Sequence, residues 1–215
     1  MNGLKQHGRK GEMAEDRLIL IDNGHGNNTP GKRSPDGKLQ ESAYTREIAS
    51  KVVCELRRLG YAAELLVPEI YDVKLLERVH RVNVKCQSLG KQNVLCVSIH
   101  CNAADNGSKW LTATGWEIWT SPGKTKSDTL ADHFVQMAKR HFDGQKIREW
   151  KQVDGERDKE AKFTILTDTL CPAVLTENFF MDNKEDVKYL LSDEGKSAVV
   201  RCHVDAIVSY ISGQN

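Results

Sequence analysis

The sequence predicts an α/β domain whose sheet is covered by helices on both faces. Three observations carry this. Short apolar runs alternate with segments whose apolar residues recur every three or four positions. Glycines stand where the helical segments should stop. The chain shows no internal repeat and no linker between domains, and its 215 residues suit one domain that buries roughly 70% of the surface its unfolded form exposes.

The elements follow in order. LILID (Leu18 to Asp22) reads as a buried strand, and it feeds a loop rich in Gly, Asn and Pro that runs to about Gln40. Tyr44, Ile48, Val52, Leu56 and Leu59 mark an amphipathic helix that opens at Glu41 and stops at Gly60. Residues 61–67 read as a strand, and Val73, Leu76, Val79, Val82, Cys86 and Leu89 make a second helical stripe ending at Gly90. VLCVSIH (Val94 to His100) is the strongest β signal, and GWEIWT (Gly115 to Thr120) alternates as a strand does. A helix carries Leu130, Phe134, Met137 and His141 on one face. The charged residues 144–162 predict a mobile surface loop, and PAVLT (Pro172 to Thr176) a last strand. Two helices finish the chain, one capped by Asp182 or Asn183 and one carrying Val199, Cys202, Ala206 and Tyr210.

Composition excludes several function classes. Thirty-one basic and thirty acidic residues leave a formal charge of +1, which gives no field to recruit nucleic acid or an anionic membrane. No segment approaches the ~18 consecutive apolar residues of a membrane span. Residues 1–16 contain no apolar run long enough for a signal peptide and are expected to be a disordered leader ahead of a catalytic domain at 17–213. Six scattered cysteines, without any CxxC, read as free and mostly buried thiols of a reducing compartment. A signal peptide removed from the chain would leave the same picture.

The chemistry concentrates where apolar runs end. The first strand leads to His25, VLCVSI to His100 and PAVLT to Glu177. In open α/β sheets ligands bind beyond the carboxyl ends of the strands, so these side chains converge on one crevice, and Glu41 in the first turn of a helix reaches the same end. Two imidazoles and a carboxylate make a catalytic zinc shell with one open position, so His25, Glu41 and His100 are the candidate Zn2+ ligands. Glu177 is then the candidate acid/base, and Asp22 a candidate to orient His25 through its distal nitrogen. Cys101 should turn away from the crevice if His100 points in. His7, His80, His133, His141 and His203 lie in the leader or on helical patterns and read as structural, while Trp110 and Trp150 read as packing residues able to stack on sugar rings.

These residues carry a resemblance. IDNGHG (Ile21 to Gly26), the helix-opening Glu41, LERVHRVN (Leu76 to Asn83), SIHCNA (Ser98 to Ala103) and LTENFFMDN (Leu175 to Asn183) resemble, in order, the motifs of zinc-dependent N-acetylmuramoyl-L-alanine amidases of the amidase-3 type. The resemblance spans nearly the whole chain. It implies a single three-layer domain with a twisted, mostly parallel sheet of about six strands. It implies a peptidoglycan or muropeptide substrate cut between N-acetylmuramic acid and the first L-alanine, zinc on His25, Glu41 and His100, and catalysis by Glu177. The sequence departs from the pattern at Asn23, where proline is common, at Asn27, where a second glycine is frequent, at Phe179, where glycine is usual, and at Val67-Pro68, where a Thr-Arg pair often stands.

Two rival functions remain at this point, a zinc peptidase cutting within the stem peptide and a cell-wall binding module without catalysis. Arg148 and Lys151 in the charged segment are candidates to pair with stem-peptide carboxylates. A lone domain of this kind fits a phage-type lysin made in the cytoplasm and acting on the wall, or an exported enzyme lacking its signal peptide. A monomer is the default expectation.

Overall fold

The computed structural model describes residues 17–150 and 157–213, so the expected leader and Lys151 lie outside the described residues. The strands are β1 (Leu18–Asn23), β2 (Ala62–Leu65), β3 (Val94–Asn102), β4 (Glu117–Thr120), β5 (Lys159–Glu160) and β6 (Ala173–Phe180). The helices are α1 (Glu41–Arg58), α2 (Leu75–Leu89), α3 (Lys126–His141), α4 (Thr164–Thr167), α5 (Lys184–Leu191) and α6 (Asp193–Gly213), with a 3-10 turn at Lys91–Asn93. One six-stranded sheet runs in the order β2-β1-β3-β6-β4-β5, parallel at every pairing except β4 with β6.

Side chains alternate across the sheet, and each set has its own core. Ile19, Ile21, Leu95, Val97, Ile99 and Val174 pack with residues of α1, α3, α5 and α6. Leu18, Leu20, Val94, Cys96, Ala173 and Leu175 pack with Val79, Val82 and Cys86 of α2 and Ile165 and Leu166 of α4. Two covered faces make three layers, as the alternating pattern predicts. Each fully buried Leu, Ile or Val contributes about 1.5–3 kcal/mol, so strands apolar on both faces are held firmly inside. Among the described residues no helix is long and apolar enough to cross a membrane.

Two expectations need correction. The last strand does not stop at Thr176: β6 continues through Glu177 to Phe180, because β3 offers a partner as far as Asn102. Its polar residues 177 and 178 conceal the strand in the sequence, and a register shift after His100 breaks the alternation. The described parts of residues 144–162 are not a free loop. Trp116 N donates to the Lys146 carbonyl at 2.9 Å, Arg148 N donates to the Trp116 carbonyl at 2.8 Å, and β5 adds an edge strand beside β4. Their backbone groups are satisfied by the sheet edge.

The helix starts match the sequence closely. Asn183, not Asp182, caps α5, its side chain accepting from Glu185 N and Asp186 N. Asp182 instead accepts from the backbone of Ala104 and Asp105, tying the loop after β3 to the end of β6. Thr125 and Asp128 form a reciprocal capping box on α3.

Candidate active site

His25 stands on a turn whose neighbours must be glycine. Its φ of 60° puts it in the left-handed region, at a cost of about 1–2 kcal/mol for a residue with a Cβ. A Cβ at Gly24 would meet the His100 ring at 2.5 Å, and one at Gly26 would meet Asp72 N at 1.9 Å. The turn is pinned from two sides, by Gly24 N donating to the Ile99 carbonyl at 2.9 Å and by Thr45 Oγ1 donating to the Gly24 carbonyl at 3.1 Å. Strain held in place by its surroundings in this way is a mark of functional sites.

Glu41 opens α1 with its backbone N donating to the Lys32 carbonyl at 3.0 Å and its side chain 1% exposed. Its Oε1 accepts from Cys101 N at 3.0 Å and lies 3.2 Å from His100 Nδ1. Its Oε2 lies 3.5 Å from His25 Nε2 and has no hydrogen-bond partner. The two imidazoles meet edge to face, 5.0 Å between centroids. His25, Glu41 and His100 each offer a ligand atom within 4.8 Å of the others, the one such group of three among the described residues. A buried carboxylate oxygen left bare beside two imidazoles fits a cation, since a buried charge persists only when paired or ligating. The donor set suits zinc.

Register places the fourth residue. On β3 and β6, His100 and Glu177 are paired, and on β6 and β4, Glu177 and Glu117 are paired, so the three side chains form a row on one face. Glu177 Oε2 is buried and has no partner. Cys101 falls on the opposite face inside the core, as strand alternation predicts, and burial pushes its thiol well above the ordinary range. It is no nucleophile.

The charges around the row are set by burial and by one another. Burial lowers the His25 pKa to about 4, with the Glu41 charge opposing it. Burial alone would neutralise Glu41 and His100, but their mutual hydrogen bond and charges prevail, so Glu41 is lowered and His100 raised. Burial pushes Glu177 up to about 8; the charges of Glu41 and Glu117 add to this and His100 opposes it. A carboxyl whose pKa lies this close to neutral is present in both its ionised and its protonated form there, which suits it to take up a proton and return it.

A groove of about 580 Å³ opens over His100 and Glu177, lined among others by His25, Lys32, Arg78 and Phe163. Asp22 also lines it, but not in the expected role. Its Oδ1 accepts from Arg78 Nη1 at 2.7 Å and its Oδ2 from Ser98 Oγ at 2.6 Å, so neither oxygen orients His25. Arg148 is likewise committed: its Nε donates at 2.6 Å to Glu117, a carboxylate only 2% exposed, which removes it as a free reader of substrate. Trp110 packs against the main core with Lys184 over its ring, while Trp150 is exposed.

Sequence reasoning missed Arg78, Ser98 and Glu117. Arg78 carried a signal: four residues before Val82, it occupies the buried stripe of α2, where an arginine requires a partner. Glu117 carried a weaker one, a carboxylate in a strand expected to be covered on both faces.

The chain matches the N-acetylmuramoyl-L-alanine amidase family over residues 19–209. It belongs to that family. The endolysin of Bacillus phage SPP1 is 26% identical over 198 residues, covering 91% of this chain and 66% of that protein. The N-acetylmuramoyl-L-alanine amidase CwlM of Bacillus licheniformis is 29% identical over 191 residues, covering 88% of this chain and 66% of that protein. The chain therefore spans just under two thirds of the length of these relatives. The fold is that of the crystal structure of an N-acetylmuramoyl-L-alanine amidase from Clostridium difficile 630, with a TM-score of 0.77 at 23% identity, over 93% of this chain and 98% of that one.

Two departures from the family pattern meet in space. With its amide oriented to satisfy both atoms, buried Asn23 donates to the Val67 carbonyl at 2.9 Å and accepts from Arg46 Nη2 at 3.2 Å. A proline at position 23 could do neither, so in this chain the end of β1 is joined to the segment after β2 by a bond of its own.

Proposed function

We propose that the chain hydrolyses the amide between N-acetylmuramic acid and the L-alanine of the peptidoglycan stem, with zinc on His25, Glu41 and His100 and Glu177 as acid/base. The observation that carries this reading is the pair of buried oxygens without partners, Glu41 Oε2 and Glu177 Oε2, close to two imidazoles that line one groove. Membership of the amidase family and the names of the relatives support the choice of bond. Zinc bound there would supply Lewis acidity toward the scissile carbonyl and bring the pKa of water to ~7.

The chain's own residues do the rest. Glu41, held by Cys101 N and the α1 terminus, keeps a negative charge between the two histidines and orients both. Glu177 takes a proton from the attacking water and returns it to the leaving nitrogen of L-alanine. Phe163 and Leu175 line the groove and limit water around the reacting groups. Action on the cell wall follows from the substrate, whether the enzyme is a phage-type lysin or an exported one.

The test combines products with a variant. Digestion of defined muropeptides should release intact stem peptides with a free L-alanine amine, read by mass spectrometry. Shortened stems would reject the amidase in favour of a stem peptidase. Glu177→Gln should lower kcat by about 10²–10⁴-fold at unchanged zinc content. Equal activity in both forms would reject Glu177 as the acid/base.

A further inference from the structure

The row of side chains that begins at His100 and Glu177 does not end there. Glu117 is the next member, one strand further on and directly opposite Glu177 in the antiparallel β4–β6 pair. Like charges placed opposite each other on neighbouring strands destabilise the pair, so a second buried carboxylate at this spot needs a reason. Its own bonds are complete. Oε2 accepts from Arg148 Nε at 2.6 Å and from Lys159 Nζ at 2.6 Å, and Oε1 accepts from Asn102 Nδ2 at 2.9 Å. The cations are themselves largely withdrawn from water, Lys159 at 15% exposure and Arg148 at 30%. Lys159 Nζ lies 5.1 Å from the centre of the Trp119 ring and Arg148 Cζ 5.1 Å from that of Phe180, so aromatic faces hold both side chains where they are.

A cation in such a place requires a counter-charge, and one left without it turns to the nearest carboxylate. On the row itself the next carboxylate is Glu177, paired directly with Glu117 at about one strand spacing of 4.8 Å and carrying an oxygen that has no partner. We propose that Glu117 is a positioning residue that holds Lys159 and Arg148 off Glu177, keeping the neighbouring carboxyl free to transfer protons. This rests on the reading of Glu177 as the acid/base. It also gives a role to two cations of the segment around residues 144–160, Arg148 and Lys159, which Glu117 holds at β4.

The alternative is that Glu117 merely ties β5 and its flanking segment to the sheet, in which case shape counts and charge does not. Glu117→Gln keeps the shape, whereas Glu117→Asp keeps the charge on a shorter stem. The zinc-loaded enzyme and these variants are assayed on a muramoyl-L-alanyl peptide for kcat and KM separately. Glu117→Gln should lose about 100-fold in kcat, as for loss of a working acid/base, with little change in KM. Glu117→Asp should retain more activity than Glu117→Gln. Removal of the cations as well, in Glu117→Gln, Arg148→Gln, Lys159→Met, should return kcat to within about tenfold of the unaltered protein. A crystal structure of metal-free Glu117→Gln should show Lys159 or Arg148 within ion-pair distance of Glu177.

Gln retaining more activity than Asp, or a triple variant as slow as the single one, overturns the proposal. If Glu117→Gln does not fold, the triple variant carries the test, and a loss greater than about tenfold overturns it. An unaltered protein without activity on this substrate overturns the reading of the site itself. An active one with the variants in the wrong order overturns only the role of Glu117.

Discussion

Asp22 and Glu41 are both carboxylates at the same end of the sheet, 2% and 1% exposed, yet their oxygens are treated in opposite ways. Asp22 has a partner on each oxygen, Arg78 on one and Ser98 on the other. Arg78 is as fully engaged, donating also to the carbonyls of Val73 and Asn23 and to Asp72. Glu41 keeps one oxygen bare, and so does Glu177. A polar cluster that is closed within the chain is a structural brace. One left open beside two imidazoles, with a groove leading to it, is where a ligand can relieve the cost of the unmade buried bonds.

This contrast is most sharply broken at the brace. Arg78→Met removes the guanidinium and leaves Asp22 buried without its counter-charge, a loss expected to cost about 3–5 kcal/mol of stability. Urea denaturation of the metal-free protein checks it. Adding Asp22→Asn in the same chain should recover part of the loss, since the amide carries no stranded charge. A change below about 1 kcal/mol in Arg78→Met would mean that the network is ornamental and the distinction between closed and open clusters fails.

The open cluster should respond in the reverse sense, and to pH. Glu177 has its pKa raised to about 8 in the folded chain by burial, with Glu41 and Glu117 adding to it, from an ordinary 4.5. The folded state therefore holds an extra proton between about pH 4.5 and pH 8 relative to the unfolded chain, and stability falls as pH rises through that window. Below it Glu177 costs nothing through its charge, and above it the full cost is present. Metal-free Glu177→Gln should match the unaltered protein near pH 4.5 and exceed it by roughly 4 kcal/mol near pH 8. Stability curves in a chelating buffer at several pH values test this. An offset independent of pH would show that the Glu177 charge is not strained in the empty groove.

What the sequence showed of all this depended on how local each signal was. The strand-helix alternation and the positions of His25, Glu41, His100 and Glu177 were legible because each lies just beyond an apolar run or at a helix start. Lys159–Glu160 was not, since a two-residue strand has no periodicity and its residues are charged. It exists because β4 has an open edge to offer. The roles of Asp22, Arg148 and Glu117 were hidden for a related reason. Each is decided by a partner 31 to 76 residues away, through the pairs Arg148–Glu117, Arg78–Asp22, Lys159–Glu117 and Ser98–Asp22. Nothing near them in the chain names that partner.

The smallest effect tests whether strain near the site is held by packing. Phe179 sits at φ 62° just past Glu177, at the position where the family usually has glycine. Its ring is fully buried, 5.2 Å from Phe142 and 5.3 Å from Tyr189 between centroids. Phe179→Gly relieves about 1–2 kcal/mol of backbone strain but forfeits a buried aromatic, for which truncation typically costs about 3–5 kcal/mol. The net expectation is a loss of about 2 kcal/mol, seen as a lower urea midpoint, with kcat nearly unchanged because β3 and β6 still hold Glu177 by their ladder. A gain in stability would mean that the strain outweighs the packing. A large fall in kcat at full folding would mean instead that the phenylalanine, through the turn of the strand, helps to aim the carboxyl into the open cluster.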